Sequence, residues 1–546
     1  MTDDRTPTDE PDDDRSAIEA ARREKLRKIS ELGHDPWGGR FDDRQWIGDI
    51  CAKAGEVVYR TESGETVQVP ELSKIEVLDK KSGRPMNQWV VGEDQVQFRQ
   101  WISEYGKGEF VGPQVRAAGR VVLSRDKGKL QFIDIQDMTG RVQLFVGKQQ
   151  VGDENWDLVK CIDLGDIIGV DGQLRRTRTG ELSIFAKQIH FLTKTIEPPP
   201  EKHKGLTDLE LRQRMRYVDL TYGDGVLQRF VNRTQIVQSI RSTLAQDQFL
   251  EIEGPTLHSI AGGAAARPFK THHNALGLEL FMRIALELHL KRLLVGGMER
   301  VYELGRVYRN EGISPRHNPE FTMLEVYQAF GDYGSMMDLT ERLIVDAIDA
   351  IGGQYLRPWG DSIIDFTPPF ARKTYHELFA EHTGVDPDDH AGAAQAATKL
   401  GFETAGKHPD VVKNFLFEEK VEDSLKGPVF VIDYPASICP LTKRKRDDPT
   451  IAERFELFIE GMEIANAYTE LNDPDLQEEL FQTQLDGLPE EDSMARMDTD
   501  FIRALRHGMP PAGGLGVGID RLVMLLTNSQ TIRDVILFPL LRPDAK

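Results

Sequence analysis

Residues 300–327 place charged side chains where an ordinary β-sheet carries apolar ones, and this stretch limits the possible folds more than any other. Side chains of a strand alternate between its two faces, so every second residue shares a face. One face of the second strand consists of Phe321, Met323, Glu325 and Tyr327. One face of the first strand consists of Glu303, Gly305, Val307 and Arg309. Because an unpaired buried charge is too costly for a core, the stretch predicts a functional β-hairpin, or a structural one held by an Arg309–Glu325 ion pair.

A second unusual stretch, residues 510–526, is a glycine-rich segment that leads into an apolar helix. It does not match the GxGxxG pattern of dinucleotide-binding folds, because the third glycine position after Gly514 and Gly516 is Ile519. We therefore expect the glycines to let a flat ligand approach the backbone closely. Arg521, near the start of the helix, is expected to meet an anion.

Residues 454–473 form a third stretch, in which several polar side chains are spaced to fall on one surface of a sheet. These side chains are Glu456, Glu463, Asn466, Tyr468 and Glu470. Mg²⁺ prefers one or two protein carboxylates together with substrate phosphates. A single glutamate is more often solvated than ligating, but paired glutamates beside phosphate-binding arginines indicate a Mg²⁺ site.

A different pattern fills residues 111–195, where short alternating runs are separated by turn residues. The runs cover residues 115–123, 129–137, 141–146, 167–175 and 182–191, with one helical stretch at 156–161. Five short strands with turn signals between them predict a small barrel of the OB type. Residues 196–225, which begin with a run of prolines, are expected to link this barrel to a long α/β region.

The segments before the barrel give weaker signals. Residues 1–14 hold seven acidic residues and no hydrophobic pattern, so we expect a disordered acidic tail. Within residues 15–110, the part at 15–33 is predicted to be a basic helix, whose lysines and arginines either touch a phosphate backbone or are solvated. The rest is an extra segment, residues 50–108, that is either a small β appendage or an RNA-contacting addition.

Composition restricts the location and partners of the protein. No apolar run reaches the ~18 residues of a membrane span, and the acidic start is unlike a signal peptide. The three cysteines form no CxxC pair, so we expect neither a disulfide framework nor a cysteine zinc site, but a cytoplasmic protein. A net charge of −21 excludes a surface that is basic everywhere, yet it permits a local basic face.

Taken in order, these stretches resemble motifs of the class II aminoacyl-tRNA synthetases, most closely the lysyl-tRNA synthetases of bacterial type. The hairpin, with Arg309-Asn-Glu-Gly-Ile-Ser and Arg316-His-Asn-Pro-Glu-Phe321, resembles motif 2, and the glycine-rich stretch resembles motif 3. Residues 226–255 resemble motif 1, which builds the dimer interface in the family, so a homodimer is expected. The resemblance implies an α+β multidomain fold, with an OB barrel and an antiparallel-sheet catalytic domain at 226–546 that carries a helical insertion near 374–427.

The resemblance also implies an activity, the ATP-dependent attachment of L-lysine to tRNA(Lys) through a lysyl-adenylate. In the family no covalent enzyme nucleophile is needed, and the catalytic residues correspond to Arg309 and Arg521. The positions that correspond to ATP-binding residues are Arg309, Glu311, His317, Asn318, Phe321 and Arg521. Glu456 and Glu463 correspond to the ligands of Mg²⁺.

The amino-acid pocket of the family maps onto two of these stretches, residues 300–327 and 454–473, and onto two positions before them. The corresponding positions are Gly263, Glu287, Arg309, Glu325, Tyr327, Asn466, Tyr468 and Glu470. Two residues depart from the family pattern, which usually has proline at Leu286 and often phenylalanine at Tyr468. We expect the first to loosen a strand that carries Glu287, and the second to add a hydroxyl that must find a partner.

Three barrel residues, Phe132, Gln143 and Glu181, fall where the family stacks and hydrogen-bonds the central anticodon uridine. Stacking on an aromatic ring together with edge hydrogen bonds is the usual way to read an unpaired RNA base. The alternative function is that of a paralogous ligase, which transfers a lysine-like amino acid to a protein. Such relatives lack the barrel, so these three residues favour a tRNA ligase.

Overall fold

The computed structural model describes residues 11–78, 85–200, 206–260, 262–264, 266–486 and 498–542. It divides into two compact units, Met1–Gly205 and Leu206–Lys546. Most of the predicted acidic tail, residues 1–10, lies outside the described residues. The first helix begins at Pro11, four residues before the predicted start, because proline at the first helical position gives up no backbone hydrogen bond.

The N-terminal unit combines four helices and eleven strands within its described residues. The helices are α1 (Pro11–Glu31), α2 (Ile47–Ala52), α3 (Phe98–Glu104) and α4 (Lys148–Val159), with a 3₁₀ turn at Lys53–Glu56. The first six strands are β1 (Val58–Thr61), β2 (Thr66–Gln68), β3 (Leu72–Leu78), β4 (Pro85–Val91), β5 (Val96–Gln97) and β6 (Gly108–Val111). The other five are β7 (Gln114–Asp126), β8 (Leu130–Gln136), β9 (Arg141–Gly147), β10 (Ile167–Arg176) and β11 (Leu182–Thr193).

Strands β7 to β11 close into a barrel in the order β10-β11-β9-β8-β7, which confirms the predicted OB fold. Interior residues such as Ile133, Leu144 and Ile184 are fully buried, and the residues between them along each strand face outward. The helical stretch predicted at 156–161 is the second half of α4.

Two of the basic residues of α1 have structural roles. Arg22 is buried and donates to the carbonyl oxygens of Thr195 and Leu164, each at 3.0 Å. Lys25 pairs with Asp163 at 2.6 Å. These two side chains hold the helix within the N-terminal unit, which leaves only the outer basic residues of α1 to meet solvent or a ligand.

The C-terminal unit is built on a sheet of eight strands in the order β12-β16-β17-β24-β23-β22-β21-β20. The strands of the whole unit, which include two small separate sheets (β13-β15-β14 and β18-β19), begin with β12 (Leu250–Glu251), β13 (Leu257–His258), β14 (Lys270–His273), β15 (Leu278–Met282), β16 (Arg300–Tyr308), β17 (Glu320–Ala329), β18 (Leu356–Trp359) and β19 (Ser362–Asp365). They continue with β20 (Ala371–Thr374), β21 (Val429–Pro435), β22 (Ile451–Ile459), β23 (Met462–Thr469) and β24 (Ala512–Gly518). All pairs in the large sheet are antiparallel except β12–β16 and β20–β21, so the sheet is antiparallel at its centre.

The helices of this unit cover the sheet and form the insertion. They are α5 (Leu209–Arg214), α6 (Arg216–Tyr222), α7 (Val226–Gln246), α8 (Glu287–Val295), α9 (Tyr333–Ala350), α10 (Tyr375–Thr383), α11 (His390–Lys399), α12 (Pro409–Lys420), α13 (Pro474–Asp486), α14 (Thr499–Arg506) and α15 (Ile519–Leu526). Short 3₁₀ turns lie at Glu422–Ser424, Ala436–Ile438 and Ile532–Asp534. Helices α7, α9 and α15 pack against the sheet in one apolar core. None of the helices in the described part of the chain is long and apolar enough to cross a membrane.

Candidate active site and nucleic-acid interface

A cavity of about 510 Å³ lies on the large sheet of the C-terminal unit. Its lining includes every residue predicted for the catalytic domain except Glu470. Those lining residues are Gly263, Glu287, Arg309, Glu311, His317, Asn318, Phe321, Glu325, Tyr327, Glu456, Glu463, Asn466, Tyr468 and Arg521. Residues from stretches more than two hundred positions apart therefore meet at one site.

Arg309 follows the end of β16 and faces this cavity without an ion-pair partner among the residues that the structure describes. Its guanidinium carbon lies 5.2 Å from the centre of the Phe321 ring, and its buried Nε has no hydrogen-bond partner. Within the described residues it forms no ion pair with Glu325, so the structural alternative proposed for the hairpin is wrong. The arginine is positioned for a ligand anion.

Arg521 supplies a second cation from the first turn of α15. It donates to the carbonyl oxygen of Glu463 at 2.7 Å and to Nε2 of His317 at 3.0 Å. Burial and the charge of Arg521 lower the pKa of His317, so its ring is neutral near pH 7 and accepts this hydrogen bond. His317 thereby fixes the direction of the Arg521 side chain.

Two carboxylates, Glu456 on β22 and Glu463 on β23, face the same cavity. The side-chain amide of Asn466 donates to both, at 3.4 and 3.5 Å, and Tyr434 donates to Glu456 at 2.7 Å. Burial and the charge of Glu456 raise the pKa of Glu463. Glu456 also forms an ion pair with Arg454, and the Arg521 guanidinium lies 3.9 Å from the Glu463 carboxylate, so a bound cation would add to a charge balance that two arginines already share.

A third carboxylate in this acidic region was missed by sequence reasoning. Burial and the charges of Glu456, Glu418 and Glu463 raise the pKa of Glu422 to about 8. Glu422 lies in a 3₁₀ turn after α12, within the insertion to which no chemistry had been assigned. No group of three or more histidine, cysteine, aspartate or glutamate side chains placed to hold a metal occurs in the described ranges. A cation here would need ligand oxygens in addition to protein carboxylates.

The opposite end of the site is a buried acidic pocket. Glu325 accepts hydrogen bonds from the backbone N–H of Leu286 at 3.0 Å and from the Tyr327 hydroxyl at 3.2 Å. Burial and the charge of Glu287 raise its pKa to about 7. The Tyr468 hydroxyl, expected to need a partner, forms no hydrogen bond with the described residues and is free to meet a ligand.

Glu470 lies behind the cavity wall, where it meets a residue that the sequence did not single out. The ammonium of Lys291, on α8, bridges Glu287 and Glu470, and neither Lys291 nor Glu470 is exposed. Burial alone would lower the pKa of Lys291, but the two carboxylates raise it. The i, i+4 spacing of Glu287 and Lys291 predicts their ion pair, whereas no sequence spacing predicts the ion pair of Lys291 with Glu470.

The glycine-rich strand β24 packs against the buried Lys291–Glu470 ion pair and also lines the cavity. A Cβ atom at Gly514 would lie 1.8 Å from Oε1 of Glu470 and 2.7 Å from the Tyr327 ring. The glycine was expected to admit a flat ligand, and Gly514 and Gly516 do line the cavity. Close packing against Glu470 is, however, the constraint that excludes any side chain at Gly514.

The expectation for Leu286 was wrong in its local structure. Glu287 is the first residue of helix α8 and does not lie on a strand, and Leu286 caps that helix as a buried residue. Because the Leu286 N–H donates to Glu325, leucine supplies a hydrogen bond that a proline has no hydrogen to form. Leucine at position 286 therefore holds the Glu325 carboxylate in place through its N–H and does not loosen Glu287.

The outer face of the barrel carries a row of aromatic rings across three strands. Phe132 pairs with Phe145 across β8 and β9, and Phe145 stacks on Phe185 of β11 with ring centres 4.3 Å apart. Arg125 lies 5.6 Å from the centre of Phe132, and Arg175 lies 5.5 Å from that of Phe185. Of these rings only Phe132 was predicted, because Phe145 and Phe185 resemble core residues in the sequence.

The two polar residues predicted for this face lie beside the row. Gln143 accepts from Arg125 at 2.7 Å and donates to Ser183 at 2.8 Å. Glu181 precedes β11 and accepts from the indole N–H of Trp89 at 2.8 Å. Aromatic rings beside arginines and amide groups form a surface suited to unpaired bases.

Both the barrel and the C-terminal unit match known protein families. Residues 208–542 match the family described as tRNA synthetases class II (D, K and N), and residues 115–192 match the OB-fold nucleic acid binding domain family. The lysine--tRNA ligase of Moorella thermoacetica is 51% identical over 441 residues, 80% of this chain and 90% of that protein. The lysine--tRNA ligase of Staphylococcus aureus strain MW2 is 44% identical over 527 residues, 95% of this chain and 97% of that protein.

Proposed function

The chain belongs to the lysine–tRNA ligase family of class II synthetases, and we propose that its sheet cavity forms lysyl-adenylate from L-lysine and ATP and passes the lysyl group to tRNA(Lys). The observation that carries this assignment of the site is the convergence of the predicted residues on one cavity. A measurement of ATP–pyrophosphate exchange with each of the standard amino acids tests it. Exchange with L-lysine alone is the expected result, and preference for another amino acid would contradict it.

Charge balance supports lysine as the substrate of the pocket. Three carboxylates, Glu287, Glu325 and Glu470, are buried there, and Lys291 and Arg309 are the two cations beside them. With all five groups ionised, the net charge of the pocket is −1. A lysine molecule with two ammonium groups and one carboxylate carries a net charge of +1. Binding then makes the buried site neutral, which limits the desolvation penalty of each charge.

The acidic end is proposed to bind the substrate ammonium groups through Glu325, Glu287 and the Tyr327 hydroxyl, with Glu470 acting from behind. Gly263, Asn466 and Tyr468 complete the wall around the substrate, and Arg309 binds its carboxylate. An ammonium has three donors and no acceptor, so it needs several oxygen atoms around it. The carboxylates of Glu287 and Glu325 and the Tyr327 hydroxyl supply oxygen atoms at this end of the cavity.

The cationic end is proposed to hold ATP. Arg309 meets the α-phosphate and Arg521 the γ-phosphate, Phe321 stacks on the adenine, and Glu311, His317 and Asn318 hold the nucleotide. The lysine carboxylate attacks the α-phosphorus in line, the bond to the bridging oxygen breaks, and pyrophosphate leaves. Catalysis then consists of positioning and charge neutralisation, for which one unpaired arginine, Arg309, and one held in place by His317 and Glu463, Arg521, are suited.

Glu456 and Glu463 are proposed to hold Mg²⁺ together with phosphate oxygens of ATP. Asn466 donates to both carboxylates, and burial together with the charge of Glu456 raises the pKa of Glu463, so a cation bound between them would relieve their repulsion beyond what Arg454 and Arg521 already provide. When bound, Mg²⁺ would neutralise phosphate charge and favour the departure of pyrophosphate. Two carboxylates with substrate phosphates are a usual ligand set for this ion.

The assembly and location proposed from the sequence remain a homodimer in the cytoplasm. Leu250, within the motif-1-like region, and Leu257, two residues after its end, are 52% and 49% exposed in the single chain. Apolar side chains this exposed in one segment are what a subunit interface would cover. Three free cysteines agree with a reducing compartment.

Replacing Phe132 by alanine is expected to weaken aminoacylation of tRNA while leaving ATP–pyrophosphate exchange unchanged. The ring begins the aromatic row of the barrel, and stacking contributes roughly 1–3 kcal/mol per base. The KM for tRNA should rise about tenfold or more, measured beside the exchange rate on one preparation. Equal losses in both assays would mean that Phe132 only supports the fold.

The KM for lysine is expected to rise as the pH falls from 8 to 6. The pKa of Glu325 is about 7 in the empty site, so its carboxylate becomes protonated over this range and loses its attraction for an ammonium. A rise of about five- to tenfold follows from the fall in the ionised fraction. Glu325→Gln should abolish this dependence, and Leu286→Pro, which removes a stabilising N–H, should shift it to higher pH. A flat profile in the unmodified enzyme would contradict the assignment of Glu325.

A further inference from the structure

The segment between α1 and the barrel is built into the barrel and shares its core. Strand β6 pairs with β1, and Phe98, Trp101 and Phe110 pack in the same apolar cluster as the barrel residues. The side chain of Arg175 on β10 also pairs with Glu109 on β6 at 3.1 Å. The segment is therefore a fixed wall beside the barrel.

This wall reaches one of the residues proposed to read the anticodon. Trp89 on β4 donates its indole N–H to Oε2 of Glu181, while Oε1 accepts no hydrogen bond from the described residues. Lys74 on β3 lies 3.7 Å from the same carboxylate. One oxygen of Glu181 is thus held by the segment, and the other remains available to a ligand.

The contact between wall and barrel depends on a glycine. Gly180 has a φ of +98°, and a Cβ atom there would lie 2.6 Å from Cβ of Trp89 and 3.1 Å from the Phe98 ring. Any larger residue would push the wall away from the turn that carries Glu181. The local sequence therefore permits Trp89 to approach Glu181 closely.

Between the wall and the aromatic row lies a groove of about 1700 Å³. Eight lysine or arginine side chains line it against three acidic ones, although the whole chain carries a net charge of −21. Arg99, exposed on α3, belongs to the wall, and Arg178 belongs to the barrel. Local positive charge beside aromatic rings fits a single-stranded nucleic acid, and the volume exceeds that of one base.

We propose that the segment forms the second wall of a groove for single-stranded anticodon-loop RNA, in which Trp89 positions Glu181 for the base and Arg99 meets a flanking phosphate. This inference rests on the proposed role of the barrel in reading the anticodon. Trp89 acts through Glu181, so it is a positioning residue. It fixes the carboxylate whose free oxygen accepts a hydrogen bond from the base edge.

Binding of a fluorescein-labelled anticodon stem–loop to the full-length protein tests this. One RNA carries UUU and a second carries cytosine at the central position. Trp89→Phe keeps an aromatic ring but removes the N–H together with the pyrrole part of the indole, and it is expected to reduce the preference for uridine about tenfold, the effect of one hydrogen bond to a charged group. Arg99→Gln should weaken the binding of both RNAs equally and lower the magnitude of the slope of log K against log salt concentration by about 0.7. Trp37→Phe and Arg40→Gln, at exposed positions outside the groove, serve as matched controls.

Two further measurements separate this inference from the proposed function. In a Glu181→Gln background, Trp89→Phe should have almost no additional effect on base preference, which a merely structural role would not produce. If Phe132→Ala leaves stem–loop binding unchanged, the role of the barrel is wrong. If Phe132→Ala weakens binding while Trp89→Phe and Arg99→Gln behave as the controls, only the second wall is overturned. Tighter binding by Trp89→Phe would also overturn it, because the segment would then obstruct the groove.

Discussion

Arg309→Ala is expected to lower lysine-dependent ATP–pyrophosphate exchange on the order of 10³-fold, the loss expected for a residue that neutralises charge in phosphoryl transfer. The guanidinium faces the cavity, its Nε has no partner, and it forms no ion pair with the described residues. Alanine therefore removes the contact with the Phe321 ring but no ion pair of the sheet. The melting temperature should remain close to that of the unmodified protein.

Arg306 provides a matched control for this substitution. It lies three residues earlier, on β16, pairs loosely with Glu320 at 3.8 Å, and does not line the cavity. Arg306→Ala should leave the exchange rate nearly unchanged. Arg309→Lys keeps the charge but loses the planar fork, so an intermediate rate is expected. Near-normal exchange by Arg309→Ala would remove this residue from the site.

The parts of the fold that could be predicted are those with a strong local period or turn signal. Helix α7 has the bounds expected from its sequence, and the hairpin of β16 and β17 lies where alternation placed it. The barrel strands agree to within a few residues, because their turns carry glycine and aspartate. In the extra segment the alternation was weak, so its strands were not assigned individually.

The parts that could not be predicted depend on contacts between distant segments. Lys291 lies in an ordinary helical sequence, and only the fold brings Glu470 to its ammonium. Leu286 was read as a defect, yet the N–H that it retains hydrogen-bonds Glu325. Both residues change the charge state of the pocket, and the sequence signals only the i, i+4 pairing of Lys291 with Glu287.

Lys291→Met is expected to reduce the free energy of unfolding by about 3–5 kcal/mol, because it leaves Glu287 and Glu470 buried without their cation. The side chains differ little in length, so the loss reports charge rather than packing. Lys413→Met is a suitable control, since that buried lysine pairs with Asp410, whose side chain is 18% exposed and can be solvated. A much smaller loss is expected there, measured by denaturant unfolding.

The loss should depend on pH in a defined direction. Burial already raises the pKa of Glu470 to about 8, although the charge of Lys291 lowers it, so loss of Lys291 raises that pKa further and the native state binds more protons than the unfolded state. Stability then falls as the pH rises through this interval, and the penalty is smallest near pH 5 and largest above pH 8. Equal penalties at both ends would show that the carboxylates are not the cause.

A second substitution distinguishes a charge effect from a damaged fold. Glu470→Gln should raise the KM for lysine tens-fold on its own, because Glu470 contributes negative charge to the pocket from behind Gly514. Combined with Lys291→Met, it should restore part of the lost stability, since one uncompensated carboxylate disappears. Losses that simply add in the double variant would contradict the coupling of the two side chains. Restored stability with a persistently high KM for lysine would identify Lys291 and Glu470 as one buried unit that sets the charge of the amino-acid pocket.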